Sequence, residues 1–393
     1  MNERTQLPAT TEVLIVGAGP VGLTLAVSLA ATGVSAFLAD KQAEGASTSR
    51  ACLVHPRTLE VLRELKVSEE LVSRGVIVPR FTVRDRDRVL MAIDFGDLPT
   101  DYPYTLMVPQ DITERVLLER LHSVGGCVHR PYEVISLAED SHGVTATMTS
   151  GATLRASYAV GADGMHSTVR EYTGIGFTGD PYTQAFVLAD VHMDWHLPDT
   201  EVMLYYSPAG LVVVSALPGG RHRIAATVDD APEHPSRQFI QALLDARGPE
   251  RRPARILDVV WSSGFRVHHR LADHYRAGRL FLAGDAAHVH SPAGGQGLNT
   301  GIQDAIVLAA RLTAVIRDGA PETVLDEYEA ERRQVALGVV AVAERITRIA
   351  TVDIVPLRKA RNVLLQALDW VPAVHHTLAS RLSSADHQGV MWS

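Results

Sequence analysis

A glycine-rich segment near the N-terminus, Gly17-Ala18-Gly19-Pro20-Val21-Gly22, constrains the fold more than any other part of the sequence. It has GxGxxG spacing and lies between an apolar run at residues 13–16 and a helical apolar pattern at residues 20–31. Glycines at these positions permit a tight turn, and they let a pyrophosphate approach the amides at the positive end of the helix. The segment therefore predicts the first strand and helix of a sheet that binds a dinucleotide.

The context of this segment indicates which dinucleotide it binds. Asp40 closes the second predicted strand, residues 34–39, about 20 residues after the last glycine. A carboxylate there can accept hydrogen bonds from both ribose hydroxyls, and it disfavours a 2′-phosphate. The residues leave FAD and NAD open and argue against NADP in this site. The candidate contacts are Gly17, Gly19, Pro20, Val21, Gly22, Asp40 and Lys41.

Patterns further along the chain predict a second sheet. Alternating segments at 132–138, 143–149 and 153–160 indicate antiparallel strands that form a covering ribbon. Residues 186–267 read mostly as strands with one helix near 237–246, and residues 279–283 predict a strand that returns to the first sheet. The chain after residue 299 is helical, and the predicted helix at 324–351 carries Glu329, Glu331, Arg332 and Arg333 as a solvated face.

We expect an α/β fold with two domains, since 393 residues exceed the usual size of one domain. The dinucleotide-binding domain comprises residues 1–75, 101–180 and 268–393, the last part with C-terminal helices. Residues 76–100 and 181–267 form a smaller substrate-binding β-sheet domain.

Composition excludes several functions. A net charge of -8 without a basic stripe argues against nucleic acid as a partner. The two cysteines exclude a disulfide framework and a four-thiolate metal site. We expect no metal, because His288 and His290 have no acidic or thiolate residue beside them. The sequence contains no apolar stretch of signal-peptide or membrane-spanning length, so we expect a cytoplasmic protein with no membrane partner.

Two further segments carry a family resemblance. Residues 158–170, YAVGADGMHSTVR, and residues 279–288, RLFLAGDAAH, resemble the DG and GD motifs of the class A flavoprotein aromatic hydroxylases, the family typified by p-hydroxybenzoate hydroxylase. The continuation at residues 291–305, SPAGGQGLNTGIQDA, is similar to the subgroup that oxygenates phenols and polycyclic aromatic polyketides. The resemblance covers roughly residues 10–345 and implies a GR2-type Rossmann-like domain with non-covalent FAD.

The residues of these segments suit a flavin. Asp285 follows a predicted strand, and its carboxylate can accept a hydrogen bond from the ribityl chain. Gly294, Gly295 and Gly297 lead into the helix at Asn299, whose amides can meet the pyrimidine edge of the flavin. A helix N-terminus favours the negative charge of reduced flavin by roughly 0.3 to 1 kcal/mol. The candidate contacts here are Gly284, Asp285, Pro292, Gly295, Gly297, Leu298 and Asn299.

The resemblance implies four further roles. Asp163 and Gly164 support the pyrophosphate region, with Arg170 nearby. Gln110 matches a glutamine that contacts the flavin side chain, and Arg50 matches an arginine that contacts FAD and senses NAD(P)H. In the family Pro292 lies over the reacting face of the ring, so Arg50 and Pro292 are the candidate catalytic residues.

The implied reaction is hydroxylation of an aromatic small molecule. NADPH or NADH reduces the flavin, O2 adds to give a C4a-hydroperoxide, and the distal OH passes to an electron-rich ring carbon. We expect substrate contacts from the second sheet, with Met203, Tyr205, Leu211, Val213, Phe265 and His268 as a first guess at the residues. Helices end near Ser383, so we expect a compact version without the thioredoxin-like domain of large members, as a monomer or homodimer.

Two alternatives remain open. The first keeps FAD and changes the chemistry, to a Baeyer-Villiger oxygenase or an FAD-dependent reductase of the same superfamily. The second belongs to a different class, a non-catalytic flavin-binding scaffold of a biosynthetic complex.

Overall fold

The computed structural model describes residues 7–45, 51–292, 294–350 and 354–383, and all structural statements refer to these. The strands are β1 Thr10–Val16, β2 Ala36–Ala39, β3 Leu53–Val54, β4 Val76–Val78, β5 Arg80–Asp85, β6 Arg88–Asp94, β7 Thr105–Met107, β8 Val128–His129, β9 Val134–Asp140, β10 Gly143–Met148, β11 Thr153–Gly161, β12 Phe177–Thr178, β13 Pro181–Asp194, β14 Glu201–Ser207, β15 Gly210–Leu217, β16 Arg221–Val228, β17 Arg255–His268, β18 Arg270–Ala272, β19 Arg276–Ala277, β20 Leu280–Leu282 and β21 His288–Val289. The helices are α1 Pro20–Ala31, α2 Pro56–Glu64, α3 Ser68–Arg74, α4 Gln110–Ser123, α5 Thr168–Thr173, α6 Arg237–Arg247, α7 Gln296–Ile316, α8 Asp326–Ala350, α9 Val355–Leu368 and α10 Pro372–Leu382.

A mostly parallel sheet forms the centre of the molecule, in the order β19-β20-β11-β1-β2-β8. Strands β20, β11, β1, β2 and β8 run parallel to one another, β19 pairs antiparallel with β20, and β10 and β9 extend β11 as an antiparallel ribbon. Leu14 and Ile15 of β1 are fully buried, as expected of a parallel strand that helices cover on both sides. The chain is therefore an α/β protein, as predicted.

The prediction for residues 153–160 is wrong in part. Strand β11 does pair with the antiparallel ribbon through β10, but it also lies between β1 and β20 in the middle of the parallel sheet. Its first half alternates between exposed and buried residues, whereas Tyr158, Ala159 and Val160 in its second half are all buried. One strand thus belongs to both the ribbon and the buried parallel sheet. The prediction of a ribbon strand followed from its alternating half.

The second sheet has the order β17-β13-β16-β15-β14-β5-β6 among the described residues. Helix α6 covers one face, where Met203 and Tyr205 pack with Ile240 and Leu244. Both side chains are buried there, at 1% and 0% exposure, so the guess that they contact substrate is wrong. Leu204 and Val213 project from the opposite face, because successive residues of a strand alternate.

The C-terminal helices pack on both sheets. Helix α7 lies against α1 and α8, and α9 and α10 lie against β6 of the second sheet. Arg332 of α8 is 3% exposed and forms an ion pair with Asp304 of α7, so its prediction as part of a solvated face is wrong. No helix in the described part of the chain is both long and apolar enough to cross a membrane.

Candidate functional site

Three strands of the parallel sheet end side by side at one edge. Val16 of β1 pairs with Gly161 of β11, and Gly161 pairs in turn with Leu282 of β20. The amide of Ala162 donates to Val16 O at 2.8 Å, and the amide of Ala283 donates to Gly161 O at 2.9 Å. The segments that begin at Gly17, Asp163 and Asp285 therefore leave the sheet at adjacent positions, although more than a hundred residues separate each from the next in sequence.

The first turn of the site is too tight for any side chain at two of its glycines. Gly17 has a φ of 102°, and a Cβ built on it would lie 2.4 Å from Ala162 O. A Cβ on Gly22 would lie 1.9 Å from Gly17 O. These contacts are with backbone atoms, so Gly17 lets its turn approach the end of β11, and Gly22 lets α1 pack on the turn itself.

Gly19 has the opposite environment. It is the N-cap of α1, its side-chain position meets no atom within 4 Å, and no side chain caps the helix. The first turn of a helix has amides without intrahelical acceptors. The start of α1 is thus an open cradle lined by the amides of Val21 and Gly22, a suitable site for a pyrophosphate.

Asp40 lies at the end of β2, next to this cradle. Its Oδ2 accepts the amide of Ala18 at 3.0 Å and lies 3.5 Å from Arg130 Nη2, and its Oδ1 accepts the amide of Gln42 at 2.8 Å. An ionised carboxylate offers about four lone-pair sites, so the predicted acceptor for a ribose retains capacity. Lys41 beside it is exposed.

Asp163 organises the second segment. Its Oδ2 accepts the amide of Thr168 at 2.7 Å, at the start of α5. Burial raises the pKa of this carboxyl above its usual value. Arg170 of α5 donates to Met165 O at 2.7 Å and to Ala286 O at 2.8 Å, so it ties the Asp163 segment to the Asp285 segment.

Asp285 lies in the 3-10 turn Gly284–Ala286 that follows β20. Its neighbours on both sides are buried, whereas Asp285 itself is exposed. Gly284 has a φ of 60°, and a Cβ on it would lie 2.7 Å from Val21 Cγ2. The turn therefore packs directly on α1 and presents its carboxylate outward at the sheet edge.

A buried polar cluster behind this turn was missed from sequence. Asp304 Oδ2 accepts the amide of Gly284 at 3.1 Å and lies 2.6 Å from His288 Nε2, and its Oδ1 accepts Arg332 Nε at 2.7 Å. Burial acts to raise the pKa of Asp304, but its contacts with His288 and Arg332 together lower it below its usual value. An ionised carboxylate thus holds the backbone of the Asp285 turn.

The glycine-rich entry to α7 forms the third wall of the site. Gly294 and Gly295 have φ values of 83° and 63°, and α7 begins without a side-chain cap. The amides of Gly297 and Leu298 lie in the first helical turn and have no intrahelical acceptor. Pro292 precedes this turn and is exposed.

The side chain of Asn299, a predicted cofactor contact, is instead used within the protein. It is fully buried, its Oδ1 accepts the amide of His55 at 2.8 Å, and its Nδ2 donates to Leu53 O at 2.9 Å and to Gly295 O at 2.7 Å. Only main-chain atoms of Asn299 remain for a cofactor.

Gln110 and Arg50 complete the predicted set. Gln110 begins α4, and it exchanges two hydrogen bonds with Ala51, from Gln110 N to Ala51 O at 3.0 Å and from Ala51 N to Gln110 Oε1 at 3.2 Å. Its Nε2 donates to Glu114 at 2.8 Å. Arg50 lies outside the described residues.

The chain is similar to known proteins in sequence and in fold. A family model described as "FAD binding domain" matches residues 10–343. The 6-methylpretetramide 4-monooxygenase of Streptomyces rimosus is 41% identical over 331 residues, which cover 82% of this chain and 59% of that protein. The chain belongs to the family of FAD-dependent aromatic monooxygenases. The match to this relative spans about three fifths of its length.

Solved structures of the family agree with this fold. The p-nitrophenol 4-monooxygenase of Pseudomonas putida DLL-E4 superposes with a TM-score of 0.90 at 29% identity, covering 98% of this chain and 100% of that one. The anhydrotetracycline hydroxylase of Streptomyces rimosus gives 0.79 at 33% identity, covering 98% and 77%.

Family membership decides between the two dinucleotides left open by the sequence, and the cofactor is FAD. The residues present fit this cofactor. The open cradle at Gly19, the carboxylate of Asp40 and the uncapped start of α7 offer, in order, a pyrophosphate site, a ribose acceptor and amide donors for the flavin.

Proposed function

We propose that this chain is a hydroxylase that uses NAD(P)H and O2 to add one oxygen atom to an aromatic ring of a phenolic or polyketide-type substrate. The convergence of the Gly17, Asp163 and Asp285 segments at three adjacent strand ends is the observation that carries the proposal. The bound flavin supplies the redox chemistry, since it accepts hydride from the nicotinamide and activates O2. The chain's own residues bind the cofactor, orient the substrate and shield the reacting atoms from water.

The first domain holds the cofactor in this proposal, in a GR2-type arrangement with the predicted domain boundaries. The amides of Val21 and Gly22 bind the pyrophosphate, Asp40 binds a ribose, and Asp285 accepts a hydrogen bond from the ribityl chain. The amides of Gly297 and Leu298 stabilise negative charge on the reduced pyrimidine ring. Gln110, Gly164, Lys41 and Arg50 keep the supporting roles implied by the resemblance.

The substrate lies against the face of the second sheet that α6 leaves uncovered. Leu204 and Val213 of that face pack near Cys52 and Leu53, and Leu53 in turn accepts a hydrogen bond from Asn299 at the start of α7. This contact supports an apolar substrate face beside the proposed flavin end of the site. An apolar wall there excludes water and orients an aromatic ring.

The same face continues with aromatic and charged residues. Phe186 and Phe265 stack with ring centroids 6.4 Å apart. Arg223 and Asp190 form a buried ion pair, with Nη2 and Oδ2 3.0 Å apart, and the guanidinium lies 5.5 Å from the Trp261 ring. The stacked rings suit a planar substrate, and the guanidinium N–H groups of the ion pair are candidate hydrogen-bond donors to a phenolic oxygen.

Turnover under labelled oxygen tests this function. FAD-loaded protein is mixed with NADPH or NADH and with phenols and polycyclic aromatic polyketides under ¹⁸O2, and the products are analysed by mass spectrometry. We expect one labelled oxygen in a hydroxylated ring. A labelled lactone would instead indicate Baeyer-Villiger chemistry, and substrate reduction without label would indicate a reductase. Absence of flavin reduction with either nucleotide would favour a non-catalytic scaffold.

A further inference from the structure

His55 is a buried histidine that the reaction above does not use. It is the N-cap of α2, it is 0% exposed, and its Nε2 lies 2.8 Å from Gly294 O. A carbonyl oxygen can only accept a hydrogen bond, so Nε2 carries the proton. Burial lowers the pKa of His55 to about 4, which keeps the ring neutral at physiological pH, and its Nδ1 has no hydrogen-bond partner among the described residues.

The hydrogen bond from His55 fixes a peptide plane in the loop before α7. The carbonyl of Gly294 and the amide of Gly295 belong to one planar trans peptide, so they point in opposite directions. The amide of Gly295 donates to Pro292 O at 3.0 Å. One peptide is therefore held by His55 on one side and by Pro292 on the other.

Asn299 completes this clamp from the helix side. Its side chain joins the backbone amide of His55 to the carbonyls of Leu53 and Gly295, with all three distances below 3 Å. Gly294 and Gly295 both adopt positive φ, a conformation that glycine enters and leaves easily. The side chains of His55 and Asn299 therefore restrict two glycines whose backbone would otherwise change conformation at little cost.

We propose that His55 is a positioning residue that tunes the electron affinity of the bound flavin by holding Gly294, Gly295 and the first-turn amides of α7 in place. This inference rests on the proposed function, which places the flavin pyrimidine edge at these amides. Hydrogen-bond donors stabilise reduced, anionic flavin only when they are held towards it. A looser loop therefore lowers the reduction potential and weakens FAD binding.

Three variants of the full-length, FAD-reconstituted protein test the proposal. His55→Phe keeps the ring volume and removes the donor, whereas His55→Gln keeps a donor of similar reach. His55→Ser caps α2 well but is too short to reach Gly294, so it remains informative if the phenylalanine variant does not fold. His222→Leu is the matched control, because His222 is a buried histidine of the second sheet that contacts Asp199.

The readouts are the midpoint potential of the bound flavin and the Kd for FAD. We expect His55→Phe and His55→Ser to shift the potential to more negative values and to raise the Kd roughly three- to tenfold, as for loss of one hydrogen bond. His55→Gln should restore both quantities, and His222→Leu should lower only the melting temperature. Unchanged potentials in folded, FAD-loaded His55→Phe or His55→Ser would overturn the role of His55 but not the proposed function. A wild-type protein that binds no FAD would overturn both.

Discussion

The open cradle at Gly19 leads to a prediction in which stability and cofactor affinity change in opposite directions. Gly19 is the N-cap of α1, with a φ of −75° that any residue adopts, and its side-chain position meets no atom within 4 Å. Serine is a better N-cap than glycine, because its Oγ accepts the amide of the second or third helical residue. In Gly19→Ser these are the amides of Val21 and Gly22, which the proposed function assigns to the pyrophosphate.

The expected magnitudes follow from this competition. The cofactor-free protein should gain a few tenths of a kcal/mol in free energy of unfolding. FAD should lose at least one charge-assisted hydrogen bond worth about 1.5–3 kcal/mol, which corresponds to a rise in Kd of roughly 10- to 150-fold. Urea denaturation of the apoprotein measures the first quantity, and fluorescence titration with FAD measures the second.

A matched control separates stability from affinity. Gly338 lies inside α8, away from the three segments, and its side-chain position also meets no atom within 4 Å. Gly338→Ala should stabilise the apoprotein by about 0.5–1 kcal/mol and leave the Kd for FAD unchanged. A folded Gly19→Ser variant that binds FAD within twofold of the wild type would refute the assignment of the pyrophosphate to the start of α1.

Three further predictions concern charge. Asp285→Ala should purify without yellow flavin yet remain folded, and Asp318→Ala at the far end of α7 should retain its flavin. Flavin absorbance per protein decides between these outcomes, and equal content in the two variants would remove the role of Asp285. Arg332→Met removes the ion-pair partner of the buried Asp304 carboxylate. Urea denaturation should show a loss of about 3 kcal/mol in the free energy of unfolding, and a loss below about 1 kcal/mol would contradict this prediction. Burial lowers the pKa of both His55 and His290 to about 4, from the ordinary histidine value of about 6.5, so the unfolded state binds more protons between these pH values. Stability should be complete above pH 6.5 and fall on acidification by about 1.4 kcal/mol per pH unit for each histidine, and a flat profile over this range would show that the rings are not buried.

Local pattern was sufficient to predict much of the fold. The predicted helix at residues 20–31 coincides with α1, and the helix predicted near residues 237–246 is α6. Apolar periodicity and glycine or proline at the ends determine such elements. Strand β11 was misjudged because half of it alternates like a ribbon and half is buried on both faces. Alternation likewise could not show which face of the second sheet α6 covers.

The predicted site was recognised through its glycines and aspartates, which lie in short sequence motifs. The buried residues that support the site, such as His55 and Arg332, do not lie in recognisable sequence motifs. His55 reaches Gly294 across 239 positions, and Arg332 reaches Asp304 across 28. Both are polar residues within helical or cap patterns, where a solvated face is the usual interpretation. Their roles follow from burial and partners, which depend on tertiary packing that one sequence does not display.

A crystal structure of the protein with FAD bound tests the central claim most directly. The account predicts the pyrophosphate within hydrogen-bonding distance of the Val21 and Gly22 amides, a ribose at Asp40, and the ribityl chain at Asp285. It also predicts the flavin pyrimidine edge at the Gly297 and Leu298 amides, with Pro292 beside the ring. A dinucleotide bound away from the ends of β1, β11 and β20, or a flavin ring remote from the start of α7, would contradict it.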